Sequence, residues 1–145
     1  MPADAERDLV AGIIQLANLL TRSLAPVFEK ARVTPQQWAI LAALEHAGQP
    51  MSLAALARMM LVSKQNMTGM IVRIEQLGLV ERGDDPEDLR SSRLALTRRG
   101  RTVIEKLRPA YEQWRTALAG DLNERDLATT ARTIETLIEN TFIHR

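Results

Sequence analysis

Apolar residues recur at steps of three and four along most of this chain, and the breaks between the runs divide it into helices. Over residues 6–31, Leu9, Val10, Ile13, Ile14, Ala17, Leu20 and Leu24 make one helical stripe, which Leu16 and Leu19 widen towards a second face. Pro26 has no amide to donate and its ring crowds the Arg22 carbonyl, so a kink or an end is expected there. Thr34-Pro35-Gln36-Gln37 is a helix start: Thr34 caps, Pro35 suits the first position and Gln37 completes a capping box. That helix turns Trp38, Ile40, Leu41 and Leu44 inward and ends near Gly48. After a turn at Gln49-Pro50-Met51, Ser52 caps a short helix over residues 53–60, with Leu53, Leu56, Ala57 and Met60 apolar. The turn Leu61-Val62 leads to Ser63, which caps the next helix, residues 63–77, carrying Met67, Met70, Ile71, Ile74 and Leu77 on one face. Gly78 stands where a left-handed residue ends a helix without steric cost.

The period then changes. Leu79-Val80-Glu81-Arg82 alternates, a turn-rich run from Gly83 to Asp88 follows, and Arg93-Leu94-Ala95-Leu96 alternates again, predicting a β-hairpin with a long tip. Thr97 caps a long helix, residues 97–120, with Val103, Ile104, Leu107, Tyr111, Trp114 and Leu118 on one side. Pro109 removes the bond to the Glu105 carbonyl and predicts a bend. A last helix, residues 123–142, carries Leu127, Ala131, Ile134, Leu137, Ile138 and Phe142. The fold class is mainly α with a small β-hairpin wing, a winged helix-turn-helix with further helices at either end.

The polar face of the 63–77 helix carries Gln65, Thr68, Gly69 and Val72, flanked by Lys64, Asn66 and Arg73. A purely structural surface helix would usually show Glu/Lys pairs four apart. Small and amide-bearing residues leave room for close approach to a hydrogen-bonding partner such as the DNA major groove, where amides pair with adenine edges. Alone, this face fits an ordinary solvated surface equally well; helix, hairpin, helix in that order favours the nucleic-acid reading. With the SKQNMT helix start, the LGLVER strand, the DPEDLRS wing and the LALTRRG return, the chain resembles the MarR family of bacterial transcriptional regulators over nearly all its length. The specific part is the wing pattern, Asp-x-Arg followed after a few residues by Leu-Thr.

The resemblance implies a homodimeric regulator of one domain, 1–145, with dimerisation helices at 6–31 and 101–145 around a winged helix-turn-helix lobe at 34–100. It implies contacts to double-stranded DNA from Ser63, Lys64, Gln65, Asn66, Thr68, Gly69 and Arg73, with Arg90 entering the minor groove and Asp88 holding it. Three positions depart from the family: Gly69 where many relatives carry arginine, Val72 where a polar or acidic residue is usual, and Leu89 for a commonly basic neighbour. Base readout then leans on Gln65, Asn66 and Thr68, with Val72 against a thymine methyl. Two-fold symmetry would set the two reading helices on the order of 34 Å apart on a pseudo-palindromic operator. The resemblance also implies repression, and release by a small aromatic or anionic effector. Trp38, Tyr111 and Trp114 are the aromatic candidates for that ligand, although residues of this kind are more often core or interface residues.

Composition adds limits. A length of 145 residues suits one domain with a core of its own. The net charge of +1 does not itself predict a nucleic-acid partner, but its distribution is uneven. Arg90, Arg93, Arg98, Arg99, Arg101, Lys106 and Arg108 face Glu105 alone in their stretch, whereas over residues 121–139 the acids Asp121, Glu124, Asp126, Glu135 and Glu139 outnumber Arg125 and Arg132. The wing stem, with Asp84, Asp85, Glu87 and Asp88, would repel phosphates unless offset; a narrow A/T-rich minor groove favours an inserted arginine. The absence of cysteine excludes disulfides, thiolate metal sites and thiol redox sensing, and fits a reducing cytoplasm. The opening MPADAERDLV is charged and lacks a long apolar run, so neither signal peptide nor membrane span is expected. The two histidines, His46 and His144, have no nucleophile or ligand set around them, so no catalytic residue, metal or cofactor is expected. A winged helix that contacts only proteins is the alternative function; steep salt dependence of duplex binding separates the two.

Overall fold

The computed structural model describes residues 2–87, 90 and 92–143. Its contacts gather into two compact units, Met1–Tyr111 and Glu112–Arg145. Helix α1 (Pro2–Phe28) ends two residues beyond Pro26, and a 3-10 turn (Glu29–Ala31) leads to Arg32, held in a left-handed conformation at φ 60°. Helix α2 (Pro35–Ala47) starts as predicted. Thr34 Oγ1 accepts from the Gln37 amide at 3.1 Å, while Gln37 Oε1 accepts from the Thr34 amide at 3.0 Å. It ends at Gly48, whose φ of 66° suits a residue without Cβ. The inward face of α2, Trp38, Ile40, Leu41 and Leu44, is buried.

The alternation pattern predicts two strands, whereas the sheet has three. Met51–Ser52 (β1), of which Met51 is expected in a turn and Ser52 as a helix cap, pairs with β3 (Ser92–Leu96), which pairs in turn with β2 (Val80–Asp84) in the antiparallel order β1-β3-β2. Two residues are too few for alternation to register. Ser52 also ends the strand and caps α3 (Leu53–Met60), its Oγ accepting from the Ala55 amide at 3.1 Å. Leu61, at φ 57°, closes α3, and Ser63 caps α4 (Lys64–Gln76). Met67, Ile71 and Ile74 enter the core completely, and Met70 and Leu77 are half-buried. Each fully buried aliphatic side chain contributes roughly 1.5–3 kcal/mol.

Helix α5 (Arg98–Ala119) continues through Pro109, and α6 (Glu124–Ile143) is capped by Asn123, whose Oδ1 accepts from the Asp126 amide at 2.8 Å. The start of α5 lies against the end of α4. Thr97 Oγ1 donates to the Gly78 carbonyl at 2.6 Å and accepts from the Gly100 amide at 3.0 Å; the Thr97 amide donates to the Leu79 carbonyl at 3.1 Å. A Cβ at Gly100 would lie 2.1 Å from that same Leu79 oxygen, so only glycine allows the approach.

Two helices leave apolar faces uncovered. Leu9, Val10, Ile13, Ile14, Leu16 and Leu19 are exposed on α1, and Leu127, Ile134, Ile138 and Phe142 on α6. The stretch Asp4–Ala31 is long and apolar enough, by length and composition alone, to cross a membrane, although its opening residues are charged.

The glycines supply a paired test of the α4–α5 joint. Gly100→Ala should cost several kcal/mol, on the order of the larger overpacking losses, because backbone must move. Gly69→Ala, with nothing within 4 Å of its Cβ, should gain about 1 kcal/mol from helix propensity. Urea unfolding of both variants checks this; equal effects would contradict the packing described.

Candidate nucleic-acid interface

The candidate interface comprises α3, the left-handed turn at Leu61 and α4. Val62 donates to the Ala57 carbonyl at 3.1 Å, which fixes the angle between the helices, and Ser63 Oγ accepts from the Asn66 amide at 3.1 Å. With its apolar stripe in the core, α4 turns Lys64, Gln65, Asn66, Thr68, Gly69, Val72 and Arg73 to solvent, beside the exposed Ser63. Among the described residues, the side chains of Lys64, Gln65, Asn66 and Arg73 have no hydrogen-bond or ion-pair partner. Thr68 differs: its hydroxyl donates to the Lys64 carbonyl at 2.9 Å, so outward it offers lone pairs and a methyl group. Val72, 42% exposed, adds an apolar point one turn from Thr68.

The wing flanks this helix. Arg90 is exposed in the turn between β2 and β3. Asp88, expected to hold it, lies outside the described residues, as does Leu89. The acids of the stem are not equivalent. Asp85 is 8% exposed; its Oδ1 accepts from the Glu87 amide at 2.9 Å and sits 3.3 Å from Arg93 Nε. Its charge is thereby turned away from solvent and matched, while Asp84 and Glu87 stay exposed.

The basic run of residues 90–108 is divided rather than gathered on the wing side. Arg93 is paired with Asp85, and Arg108 Nη2 lies 2.6 Å from Glu45 Oε2, tying α5 to α2. Arg82, in β2, meets Glu75 of α4 at 2.7 Å and ties the wing to α4. Helical spacing gives no sign of these long-range pairs. Arg58, exposed near the end of α3, is a further cation beside the turn that the pattern of α4 did not indicate.

Of the aromatic candidates, Trp38 and Tyr111 come together at 5.3 Å between ring centroids. Phe28, not singled out by the sequence pattern, joins them, stacked on Trp38 at 4.9 Å. Trp38 is 7% exposed and Phe28 fully buried, so this cluster is core packing as it stands. Trp114 belongs to the second unit and is half-buried there.

Residues 33–91 match the model of the MarR family. The chain is 34% identical to the transcriptional activatory protein BadR of Rhodopseudomonas palustris, over 95% of this chain and 83% of that one. Among solved structures it is similar to AbsC, a MarR family transcriptional regulator from Streptomyces coelicolor, with a TM-score of 0.85, 24% identity and 95% of each chain covered. It is also similar to NadR, solved in complex with 4-hydroxyphenylacetate, with a TM-score of 0.75, 26% identity, and 88% of this chain and 89% of that one covered.

Removing the Asp85 carboxylate should loosen the wing. Asp85→Ala leaves Arg93 and the Glu87 amide unmatched and should cost about 1–3 kcal/mol, whereas Asp85→Asn keeps an acceptor for the amide and should cost less. Urea unfolding with amide exchange at Glu87 measures both; an unprotected Glu87 amide in the unaltered chain would contradict the contact.

Proposed function

This chain belongs to the MarR family of winged helix-turn-helix DNA-binding transcriptional regulators, a non-enzymatic family, and we propose that it acts as a homodimer on a pseudo-palindromic operator. The observation that carries this reading is the outward face of α4, where Gln65 and Asn66 stand unpartnered beside Thr68 on a helix fixed at both ends. Gln65 and Asn66 are suited to adenine edges, Thr68 to a base amino group, and Val72 to a thymine methyl. Ser63, Lys64, Arg73 and Arg58 are suited to phosphates, and Gly69 lets the backbone approach closely. Arg90 is assigned to the minor groove beside the wing. The bared apolar faces of α1 and α6 support dimerisation, since exposed patches of this kind mark association sites. They are also the reason for assigning the apolar Asp4–Ala31 stretch to a subunit contact rather than a membrane, and the protein to the cytoplasm.

An operator-bound dimer that excludes polymerase represses, and repression is the sign proposed here. BadR carries the opposite description, so run-off transcription with and without the protein decides the sign. NadR binds 4-hydroxyphenylacetate, and a small aromatic anion is proposed as effector here too. Trp38 is buried, so such a ligand would have to open the aromatic cluster to reach it, whereas Tyr111 is partly exposed. The ligand would release the operator only through unequal affinity for the two forms.

Two substitutions test the assignment. Gln65→Ala should change sequence preference by roughly 1–3 kcal/mol at one contacted base pair, and equal weakening on random duplexes would reduce Gln65 to a backbone contact. Arg90→Ala should weaken operator binding, with the salt slope lowered by about one unit if a phosphate contact is lost, and leave the dimer whole. Dissociation of the Arg90→Ala dimer in sedimentation would refute the wing assignment. A wild-type chain whose duplex binding ignores salt would favour the protein-contact alternative.

A further inference from the structure

A cleft lies between the end of α2, the base of the β2–β3 hairpin and the first turns of α5, all within the unit Met1–Tyr111. It holds about 490 Å³, within the roughly 300–1,000 Å³ usual for small-molecule sites, and no residue of α4 lines it. Its floor is apolar, with Leu44 3% and Leu96 8% exposed. Around that floor stand charges of both signs, Glu81 on β2 and Arg98, Arg101 and Glu105 on α5, all exposed. Among the described residues, none of these four side chains has an ion-pair or hydrogen-bond partner. Glu45, on the α2 wall, differs, because Arg108 already holds it at 2.6 Å. Arg101 and Glu105 are four apart on one helix, a spacing at which opposite charges can pair, yet they stay separate. The first turn of α5 also carries cations and no acid, although a helix dipole favours anions there.

We propose that this cleft binds a small zwitterion with an apolar body, of the class of a dipeptide with apolar side chains. Its carboxylate would lie with Arg98 and Arg101, its ammonium with Glu81 and Glu105, and its body over Leu44 and Leu96. A plain anion would leave the two free carboxylates facing like charge, and a plain cation would do the same to the two guanidiniums. A ligand of both signs matches all four and spans charges that do not meet one another. The inference stands apart from the transcriptional reading, since binding to the cleft needs no operator.

Calorimetry on the full chain with leucyl-leucine, its N-acetyl form and its C-terminal amide tests it. The zwitterion should bind at one site per chain and weaken with salt, and each blocked form should bind roughly tenfold or more weakly. Arg98→Gln combined with Arg101→Gln should lower affinity for the zwitterion roughly tenfold while leaving the amide, which has no carboxylate, unchanged. Glu81→Gln combined with Glu105→Gln should do the same for the zwitterion while leaving the N-acetyl form unchanged. All four positions are exposed, so the unfolding midpoint should stay within a degree or so of the unaltered chain, about what surface changes cost. No binding of leucyl-leucine, a blocked form that binds as well as the zwitterion, or unchanged affinity in either double variant would each overturn the proposal. A fall of about two units in the salt slope for duplex DNA in the arginine variant would give those cations to DNA instead, and would also overturn it.

Discussion

Helix α4 keeps its place because the start of α5 grips the segment that leaves it. Thr97 serves both sides of this joint, donating from its hydroxyl to the Gly78 carbonyl and from its amide to the Leu79 carbonyl. The same hydroxyl accepts from Gly100 and so caps α5. Gly78 turns the chain out of α4 at φ 75°, and the missing side chain at Gly100 lets the helices close on Leu79. Polar groups that a helix end would leave orphaned are thus satisfied by the neighbouring helix. Anything that moved α5 would carry the base of the wing and the end of α4 with it.

Charge is divided with similar economy. A net charge of +1 hides local excesses of opposite sign. Arg82, Arg93 and Arg108 serve as internal ties, to Glu75, Asp85 and Glu45; the Arg82 and Arg108 pairs are open to solvent and stabilise little individually. Their value lies in register, since each joins two elements that must stay aligned. The burial of Asp85 also removes one carboxylate from the charge that the acidic stem presents to solvent.

Much of this was legible in the residues. Thr34, Ser52, Ser63 and Thr97 each announce a helix start through a local hydrogen bond, and all four make it. The stripe of α4 fixes which face is buried, and hence which residues remain for a partner. What escaped depends on contacts distant in sequence. Strand β1 exists only because β3 lies beside it. Phe28 falls after Pro26, where a kink or an end of α1 is expected, and is located by its stacking on Trp38. Asp85 looked like one of several turn acids until Arg93 was brought across the hairpin. The need for glycine at position 100 comes from a carbonyl 21 residues earlier, and no local propensity encodes it.

The most direct test of this joint uses Thr97→Val and Thr97→Ser on a duplex selected by the unaltered chain from random sequence. Valine keeps the shape and loses both hydroxyl bonds; serine keeps them. The valine variant should lose roughly tenfold in affinity for the selected duplex while binding random duplex nearly as before, and serine should restore most of the difference. A valine variant that discriminates between the two duplexes as well as the unaltered chain would show that α5 does not hold the reading helix in place.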